Sequence, residues 1–410
     1  MPFEIALSGL NAASSDLEVT GNNIANAATN GFKESRAEFA SLYANAIQDT
    51  SVTSGQGVRV ARIAQQFAQG SVDFTSNNLD LAISGEGFFV LESQDGSISY
   101  TRAGAYSVDR DGVVTNHKND RLQVYGAVTA PDGTTSFTTG VLQDLTLPTG
   151  SNTPQATTNV ALEVNLDSSE ADITAAFDVN DPSTFNYRST TSVYDSLGNS
   201  HTMSTYYVKT APNTWEGRTF IDGTSVTVGG AASYALEFDS TGNLTTPAGG
   251  IVDLDLHTPS GGGADLDIQI DFTGSNQFAA PSSYDTNQNG FSAGRLAGLD
   301  IDAQGVIFAR YTNGQSSALG KVALAKFSNN QGLRQLGDTK WAESFASGAP
   351  QYGEAGTSSF GQIQSGALES SNVDLAAQLV NLITAQRNFQ ANAEVISTAD
   401  TINQTIINIR

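Results

Sequence analysis

The side chains that most often hold metal ions or drive catalysis are scarce in this chain. It has no cysteine, which excludes disulfides, thiolate metal sites and thiol catalysis. Its three histidines, His117, His201 and His257, are far apart in the sequence and lack the spacing of paired zinc ligands. We expect them on strands or at the surface, and we predict no metal site and no cofactor.

One acidic segment opens like a calcium-binding loop. Asp285, Asn287 and Asn289 alternate before Gly290, but the twelfth position is Leu296, where a calcium loop carries glutamate. No convincing helical pattern flanks the segment on either side. We expect a turn here instead of a calcium site.

No other catalytic motif is present. The chain has no phosphate-binding Gly-x-x-x-x-Gly-Lys, no Gly-x-Ser-x-Gly elbow and no His-Glu-x-x-His pair. Its carboxylates are scattered over strand-like segments, so acid and base roles cannot be assigned from the sequence. We predict that the protein is not an enzyme. An exported β-rich adhesin, or a glycan-acting enzyme with two apposed carboxylates in a cleft, is the alternative.

Charge and hydropathy narrow the possible partners. Lysine and arginine total 19 against 42 aspartates and glutamates, so the formal net charge is -23. Such a surface repels nucleic acid and anionic membranes. No apolar run approaches the ~20 residues that span a bilayer, and the first residues lack a basic segment followed by an apolar one. We expect no nucleic-acid binding, no membrane insertion and no cleavable secretion signal.

The middle of the chain has the pattern of strands joined by short turns. Residues 266–272 alternate apolar and polar side chains, as in a strand with one wet face. Four segments carry Asp-x-x-Gly between two strand patterns. Aspartate at the first position of a type I turn accepts backbone N–H groups, and glycine adopts the positive φ that rejoins the second strand. The predicted hairpin turns are Asp109 to Gly112, Asp195 to Gly198, Asp239 to Gly242, and Asp302 to Gly305.

The two ends of the chain carry helical patterns. Proline is absent between Pro2 and Pro131 and again after Pro350, so the long helices are expected at the ends. Large apolar residues recur at heptad spacing, as in a coiled-coil seam, and Ser371 or Asn372 followed by Asp374 supplies a helix cap. The predicted seams are Phe3, Leu10, Leu17 and Ile24 at one end, with Ala6, Ala13, Thr20 and Ala27 three positions further on, and Leu375, Leu379, Leu382, Phe389 and Ile396 at the other.

Two arrangements of these helices stay open from the pattern. One apolar stripe per helix is enough for a pair that closes a monomer. Small residues beside the stripes, such as Ala12 and Ala376, also permit close contacts with neighbouring molecules. Ordering some 25 residues opposes helix formation by roughly tens of kcal/mol, so a lone terminal helix would be marginal. The other terminal helix or neighbouring subunits would supply the missing contacts.

Both ends also resemble a known family. Residues 7–13 (LSGLNAA), 21–27 (GNNIANA) and 29–33 (TNGFK) are similar to the N-terminal signature of flagellar rod and hook proteins. Residues 371–375 (SNVDL) and 382–392 (LITAQRNFQAN) are similar to the matching C-terminal signature. The motif residues that carry the resemblance are Gly21, Asn22, Asn23, Asn26, Gly31, Phe32, Asn372, Asp374, Gln386 and Arg387.

The interior resembles the same family. Residues 78–89 are similar to the first inner strand that rod and hook proteins share. Rod members are much shorter and lack an outer domain, whereas residues 193–199 and 285–291 resemble hook members. The long insert therefore favours the hook branch, with a distal rod or hook-associated protein as the alternative.

The resemblance implies a mainly β protein with α-helical termini, built as discontinuous nested domains. The terminal helices would form a coiled-coil-like polymer core, with a connecting segment, an inner β-domain and an outer β-domain beyond it. Composition shifts near residues 147–150 and 279–282 agree with an inserted outer domain. The expected ranges are 1–28 with 371–410 for the core, 29–70 with 366–370 for the connecting segment, 71–147 with 286–365 for the inner domain, and 148–285 for the outer domain.

The resemblance also implies a function. The expected protein is a structural subunit that polymerises into a curved flexible tube, transmits motor torque to the filament and surrounds an export channel. Its implied partners are further copies of itself, the flagellar rod, hook cap and hook–filament junction proteins, and the type III export apparatus. Its implied location is extracellular, in the flagellar basal body and hook. Polar residues such as Gln386, Asn388 and Gln390 suit a channel lining, and a solvated helix face explains them equally.

Overall fold

The computed structural model describes residues 2–42, 55–130, 134–357 and 359–408. Residues 43–54, which belong to the predicted connecting segment, lie outside it, as do residues 1, 131–133, 358, 409 and 410. The described part is mostly β with one helix at each end, which confirms the predicted fold class. The chain forms two compact units, one of residues 1–147, 299–309 and 317–410 and the other of residues 148–298 and 310–316.

The terminal helices are α1 (Pro2–Ala25) and α2 (Leu375–Asn408). Asp374 is the residue that caps α2, since its Oδ1 accepts hydrogen bonds from the backbone N–H groups of Ala376 (2.9 Å) and Ala377 (3.3 Å). The cap predicted at Ser371 or Asn372 therefore lies two or three residues later. Among the described residues, no helix combines the length and apolar character needed to span a bilayer.

The strands alternate with short turns along the rest of the described chain. In order they are β1 (Ser35–Ser41), β2 (Val58–Gln65), β3 (Val72–Phe74), β4 (Leu81–Ser84), β5 (Phe88–Glu92), β6 (Ile98–Thr101), β7 (Ser107–Val108), β8 (Val114–Thr115), β9 (Arg121–Thr129), β10 (Thr135–Asp144), β11 (Asn159–Asn165), β12 (Tyr187–Tyr194), β13 (Ser200–Ala211), β14 (Thr214–Ile221), β15 (Thr224–Val226), β16 (Tyr234–Phe238), β17 (Leu244–Thr246), β18 (Ile251–Asp253), β19 (Gln269–Asp271), β20 (Ser283–Gln288), β21 (Leu296–Ile301), β22 (Val306–Tyr311), β23 (Ser316–Lys326), β24 (Arg334–Gly337), β25 (Lys340–Ala342), β26 (Gln351–Glu354), β27 (Gln362–Ser365) and β28 (Ala367–Glu369).

The main sheet lies largely in the first unit and has the order β21-β22-β23-β9-β5-β6-β25-β24, with β7, β8, β10 and β26 paired beside it. Successive side chains of a strand point to opposite faces of the sheet. Strand β5 shows that each face of this sheet carries an apolar cluster. Phe89 and Leu91 of β5 belong to one apolar cluster. Phe88 and Val90 of the same strand belong to another, together with Trp341.

Three two-stranded pairs complete the first unit. β1 pairs with β2, β4 with β27, and β3 with β28, all antiparallel. The last two pairs join segments that the chain reaches before and after the second unit. They close the first unit immediately before α2 begins.

The second unit is a β-sandwich around one core. One sheet has the order β18-β19-β11-β20, and the other β12-β13-β14-β16-β17 with β15 beside β14. Tyr207 and Trp215 from the larger sheet pack in one cluster with Val160 and Ile270 from the smaller one. β20 pairs with β11, so the unit extends past residue 285, the end of the predicted outer domain.

The four Asp-x-x-Gly segments lie between consecutive strands. In each, the glycine has a φ between 79° and 88°, and its N–H donates to the carbonyl of the aspartate, at 2.9 to 3.2 Å. The aspartate Oδ1 accepts the N–H of the residue after the glycine, at 2.8 to 3.0 Å. The local chemistry that predicted hairpins is therefore the chemistry seen at Asp109, Asp195, Asp239 and Asp302.

Candidate assembly surface

The helices α1 and α2 run antiparallel and approach each other closely. A Cβ added to Gly9 would lie 2.5 Å from Asn392 Oδ1 of α2. Near the other end of the pair, Asn23 Nδ2 donates to Gln378 Oε1 at 3.2 Å. α1 also packs against β1 and β2. Its buried apolar side chains are small or medium-sized: Ala6, Ala12, Ala13 and Val19.

The large apolar residues of the predicted α1 seam lie at the border of this contact. Leu10, Leu17 and Ile24 are half-buried, and Phe3 is exposed. The fully buried line lies three positions further along the heptad, at Ala6, Ala13 and Thr20. Small residues are buried because they allow the backbones to approach closely, and this leaves the larger apolar side chains partly in water.

The predicted α2 seam divides into two groups. Leu382, Phe389 and Ile396 are half-buried, and the buried positions on the same side of the helix are Gln378 and Ala385. Leu375 and Leu379 are 50% and 52% exposed. These two leucines therefore take little part in the contact within the chain.

Leu375 and Leu379 belong to a set that we name the outer α2 row: Leu375, Leu379, Val380 and Ile383. Val380 is 63% and Ile383 48% exposed. Spacings of three and four residues place their side chains on one face of the helix. Contiguous exposed apolar surface marks sites of interaction with other proteins or membranes, whereas single scattered apolar residues are normal on a protein surface.

A groove of about 440 Å³ lies beside α1. Gly9 and Ala12 form part of its wall, and Phe39 of β1 and Asn392 of α2 contribute to it. Asp16 also lines the groove, and burial raises the pKa of its carboxyl group. The groove is therefore a concavity lined by glycine and alanine together with larger apolar and amide side chains, and it holds one acidic group.

Two motif asparagines fasten the helices to the segment that follows α1. Asn23 Oδ1 accepts the N–H of Ser35 at 2.9 Å, and its Nδ2 donates to the Ser35 carbonyl at 2.7 Å. Asn372 Oδ1 accepts the N–H of Glu34 at 2.7 Å. Gln378 Nε2 donates to Glu34 Oε1 at 2.8 Å. The asparagine side chain has both a donor and an acceptor, so it can bond the backbone N–H and C=O groups at the start of β1.

A buried ionic cluster lies beneath this junction, and we name it the Glu369 trio: Glu369, Lys33 and Arg102. Lys33 Nζ lies 2.5 Å from Glu369 Oε1, and Arg102 Nη1 lies 3.1 Å from Oε2. Their side chains are 1%, 7% and, for Glu369, 0% exposed. Burial lowers the pKa of Lys33, and the Glu369 carboxylate opposes this effect. The trio joins the segment after α1, the main sheet region and the segment before α2.

Gly31 shows why one motif position requires glycine. Its φ is 70°, and a Cβ there would lie 2.4 Å from the backbone nitrogen of Ala103. Its N–H donates to the carbonyl of Glu369 at 2.7 Å. Any side chain would push the post-α1 segment away from the trio. Phe32 beside it is half-buried.

The other motif residues lie on open surfaces of the helices. No atom lies within 4 Å of a Cβ built on Gly21. Asn26 follows the last residue of α1, and its Nδ2 donates to the carbonyl of Asn22 in the last turn of the helix, at 2.9 Å. Asn22, Gln386 and Arg387 are exposed. Within the single chain, Gly21, Gln386 and Arg387 have no packing role that accounts for the motif.

Sequence reasoning did not find the Glu369 trio. Lys33 ends the N-terminal signature and Glu369 stands two residues before the C-terminal one, so each charge lies directly beside a recognised motif. Two opposite charges at the inner borders of both signatures, in a chain with few basic residues, were the available signal.

The residues considered above as metal ligands lie in a strand, bond the backbone or are exposed at the surface. Asp285 and Asn287 lie in strand β20, so the turn expected from Asp285 onwards is wrong for residues 285–288. Asn289 Oδ1 accepts the N–H groups of Thr158 and Asn159 at 3.0 and 3.1 Å. His117 is exposed and His201 is buried in β13. Within the described ranges, no group of three or more histidine, aspartate or glutamate side chains is arranged to hold a metal ion.

Comparison with known proteins gives a consistent class. Four family models match: "Flagella basal body rod protein" at residues 3–33, "Flagellar hook protein FlgE/F/G D1 domain" at 82–142, "Flagellar basal body protein FlaE D2 domain" at 165–291, and "Flagellar basal body rod FlgEFG protein C-terminal" at 364–409. These matches, together with the paired termini and the nested units, define a structural protein of the flagellar rod and hook class.

The relatives identify the branch. Flagellar hook protein FlgE of Salmonella typhimurium is 38% identical over 419 residues, and that of Escherichia coli is 37% identical over 424, each match covering 100% of both chains. The crystal structure of Helicobacter pylori flagellar hook protein FlgE2 shares the fold, with a TM-score of 0.55 and 17% identity over 73% of this chain and 100% of that one. The chain belongs to the flagellar hook protein family.

Family membership decides between the functions left open by the sequence. Its relatives are structural hook proteins and not enzymes, so the chain is a structural hook subunit, as predicted. The full-length match to hook proteins also sets aside the shorter rod proteins, and the adhesin and glycan-acting alternatives lose their basis.

Proposed function

We propose that this hook subunit assembles with copies of itself into a curved, flexible tube that transmits motor torque to the filament. The observation that carries this proposal is the outer α2 row, four large apolar side chains about half or more exposed on a helix that already has one partner. Burying such a side chain contributes about 1.5–3 kcal/mol, so a neighbouring subunit that covered the row would gain substantially.

The groove beside α1 supports the same proposal. Its lining includes apolar side chains such as Ile5, Phe39 and Val58, and its volume of about 440 Å³ has room for side chains from another molecule. The outer α2 row and this groove are different surfaces of one helix pair. A contact between two different surfaces repeats from copy to copy and builds an open helical polymer, whereas a self-complementary contact stops at a dimer.

The proposed division of labour follows the four predicted regions. Residues 1–28 and 371–410 form the stiff polymer core, and residues 29–70 with 366–370 connect it to the inner β-domain (71–147 and 286–365). The outer β-domain (148–285) carries many serine, threonine and asparagine side chains. Such polar, wet contacts exchange easily, so neighbouring outer domains would slide as the tube bends.

The remaining parts of the proposal concern the channel and the partners. The exposed residues Gln386, Asn388 and Gln390 of α2 would line a channel that passes unfolded chains without binding them. The partners would be the flagellar rod, the hook cap, the hook–filament junction proteins and the type III export apparatus. The tube would lie outside the cell, in the basal body and hook of the flagellum.

The test uses the full-length protein with a changed outer α2 row. Leu379→Gln with Ile383→Gln removes apolar surface while keeping residues of helix-compatible shape. Thr398→Gln with Glu394→Gln, at other exposed positions of α2, is the matched control. Each protein is concentrated and examined by negative-stain electron microscopy and light scattering.

We expect curved tubes from the unchanged protein and from the control, and monomers from the double variant at the same concentration. Circular dichroism must show unchanged helix content in all three proteins. Tubes formed equally well by the double variant would refute the role of the outer α2 row. Monomers from the unchanged protein, even with preformed seeds, would refute self-assembly by the chain itself.

A further inference from the structure

A buried imidazole lies between two carboxylates at one end of the second unit. Nδ1 of His201 lies 2.6 Å from Asp222 Oδ2, and its Nε2 lies 3.4 Å from Asp195 Oδ2. The His201 and Asp195 side chains are 3% and 0% exposed. An ionised carboxylate only accepts hydrogen bonds, so both ring nitrogens can bond only when each carries a proton. The geometry is that of an imidazolium.

The two carboxylates are held in their ionised form by further donors. Asp222 Oδ1 accepts the N–H of Thr202 at 2.9 Å. Asp195 Oδ1 accepts the N–H groups of Leu197 and Asn199, at 2.9 and 2.8 Å. The bond from His201 is the main cause that lowers the pKa of Asp222. Burial raises the pKa of Asp195, but the bonds from Asn199 and His201 outweigh it and lower that pKa.

The ionisable groups that face His201 are Asp195, Asp222 and His257. Burial lowers the pKa of His201, but the two carboxylates outweigh burial and raise it above its ordinary 6.5. The pKa of His257 is lowered, by burial first, with Asp222 opposing and the positive charge of His201 adding to the decrease. Around pH 6.5 the His201 ring is therefore mostly charged, while the His257 ring is mostly neutral.

We propose that His201, Asp195 and Asp222 form a proton-dependent clasp between the β12–β13 turn and the β14–β15 turn, closed when the ring carries two protons and loosened when it loses one. The clasp belongs to the second unit alone and does not depend on the proposed assembly. Losing the Nε2 proton would turn a ring lone pair towards a fully buried carboxylate. Lone pair and carboxylate repel each other, so the Asp195 turn would loosen.

The segment over Asp195 shows where loosening would appear. A Cβ on Gly263 would lie 2.7 Å from Asp195 Oδ2, so the 258–264 segment covers the carboxylate. The N–H of Ala264 donates to Ser196 Oγ at 2.8 Å. Movement of the turn would therefore release this cover. We expect residues 195–199 and 258–264 to open together.

The direction of the pH effect follows from the two kinds of group. The pKa of folded His201 is above its ordinary 6.5, so the stabilisation is complete below that value and is lost as pH rises through the folded pKa. The aspartates have pKa values below their ordinary 3.8, so their contribution is lost as pH falls through those lowered values. The clasp is closed between these limits.

The first test measures the protonation of His201 in the full-length protein. With ¹⁵N-labelled histidine, the chain gives three ring systems, and His201→Gln identifies the one of interest. We expect most His201 rings to carry protons on both nitrogens at pH 6.5, because the pKa is raised above that value. Asp222→Asn should lower the pKa of His201 by about one unit or more, because a facing charge is removed. His117→Gln, at an exposed position in the first unit, should leave it unchanged.

The second test measures hydrogen exchange at the N–H groups of Leu197 and Asn199. After correction for intrinsic exchange, we expect protection to fall about tenfold as pH rises through the pKa of His201, and this step to be absent in His201→Gln. A His201 ring that titrates at or below its ordinary pKa of 6.5 would overturn the clasp. So would an Asp222→Asn protein with an unchanged His201 pKa, or protection that stays flat across the titration.

Discussion

Replacing Glu369 by glutamine tests how much the buried trio contributes to the first unit. Glu369→Gln keeps the shape and one acceptor oxygen, so the packing is preserved while the charge is lost. Lys33 and Arg102 would remain buried with no carboxylate between them. The change therefore keeps the side-chain volume, removes the negative charge and turns one acceptor oxygen into an amide donor beside a cation.

The magnitude follows from burial. The three side chains are between 0% and 7% exposed, so solvent does not screen the pair appreciably. Breaking a buried ion pair by removing one partner costs about 3–5 kcal/mol, because it leaves an uncompensated charge. Lys33 already has a lowered pKa and can lose its proton, which relieves part of this cost. We expect a loss near the lower limit, about 3 kcal/mol.

The assay is urea unfolding followed by tryptophan fluorescence. The chain has two tryptophans, Trp341 in the first unit and Trp215 in the second. In a Trp215→Phe background only Trp341 reports. Its ring lies 5.7 Å from Phe88, over which the Arg102 guanidinium lies at 5.4 Å. The reporter is thus adjacent to the perturbed cluster.

Glu38→Gln is the matched control, since Glu38 pairs with Arg62 on an exposed strand pair at 2.7 Å. Exposed pairs add little to stability, so we expect no measurable change in its unfolding midpoint. Adding Lys33→Met to Glu369→Gln should recover part of the loss by removing one stranded charge. Equal midpoints for Glu369→Gln and Glu38→Gln would refute the account of the trio.

Three further predictions follow from the glycines, the cap and the nested unit. Gly31→Ala should destabilise the first unit by at least about 1 kcal/mol, because Gly31 has a positive φ and a close backbone contact. Gly21→Ala should stabilise the same unit by up to about 1 kcal/mol, because alanine favours a helix and the space there is open. Urea unfolding measures both changes, and shifts of the same sign would contradict the comparison. Asp374→Ala should cost about 1 kcal/mol by removing the α2 cap, while Asp374→Ser keeps an acceptor; equal thermal midpoints by circular dichroism would contradict this. Replacing residues 148–295, which end before β21 of the main sheet, by a short flexible linker should leave polymerisation intact and change tube curvature in electron micrographs; complete loss of polymers would contradict the proposed division of labour.

Local chemistry made the turns and strand faces predictable. An Asp-x-x-Gly segment contains its own donors and acceptors, so the structure of the turn follows from four residues. The alternation over residues 266–272 likewise gave the correct buried face, since Leu266, Ile268, Ile270 and Phe272 are all buried. Only residues 269–271 lie in a strand, because pairing depends on neighbouring strands that the local pattern does not contain.

Helix periodicity predicted the helices but not which line of the seam is buried more deeply. The stripe of Leu10, Leu17 and Ile24 has the correct period, yet the line of Ala6 and Ala13 is the buried one. Both lines lie on the same half of the helix, and only the shape of the partner distinguishes them. Gln378 illustrates the same limit, since a polar residue is buried there because Asn23 and Glu34 satisfy its amide.

The Glu369 trio could not be predicted because its members are remote in sequence. Lys33 and Glu369 are separated by 336 residues, and Arg102 and Glu369 by 267. Charge alone does not select one pair among 19 basic and 42 acidic residues. The pairing depends on β3 meeting β28, which brings Glu369 back to the segment after α1.

The pairing of β3 with β28 and of β4 with β27 has a consequence for the order in which the chain can fold. A chain that emerges N-terminus first presents β3, β4 and Lys33 early, while the partners of all three arrive only within residues 362–369. Contacts of such long sequence separation form late and slowly. The first unit therefore cannot complete these pairings in a chain that lacks residues 362–369. Folding of the first unit is completed only after nearly the whole polypeptide is available.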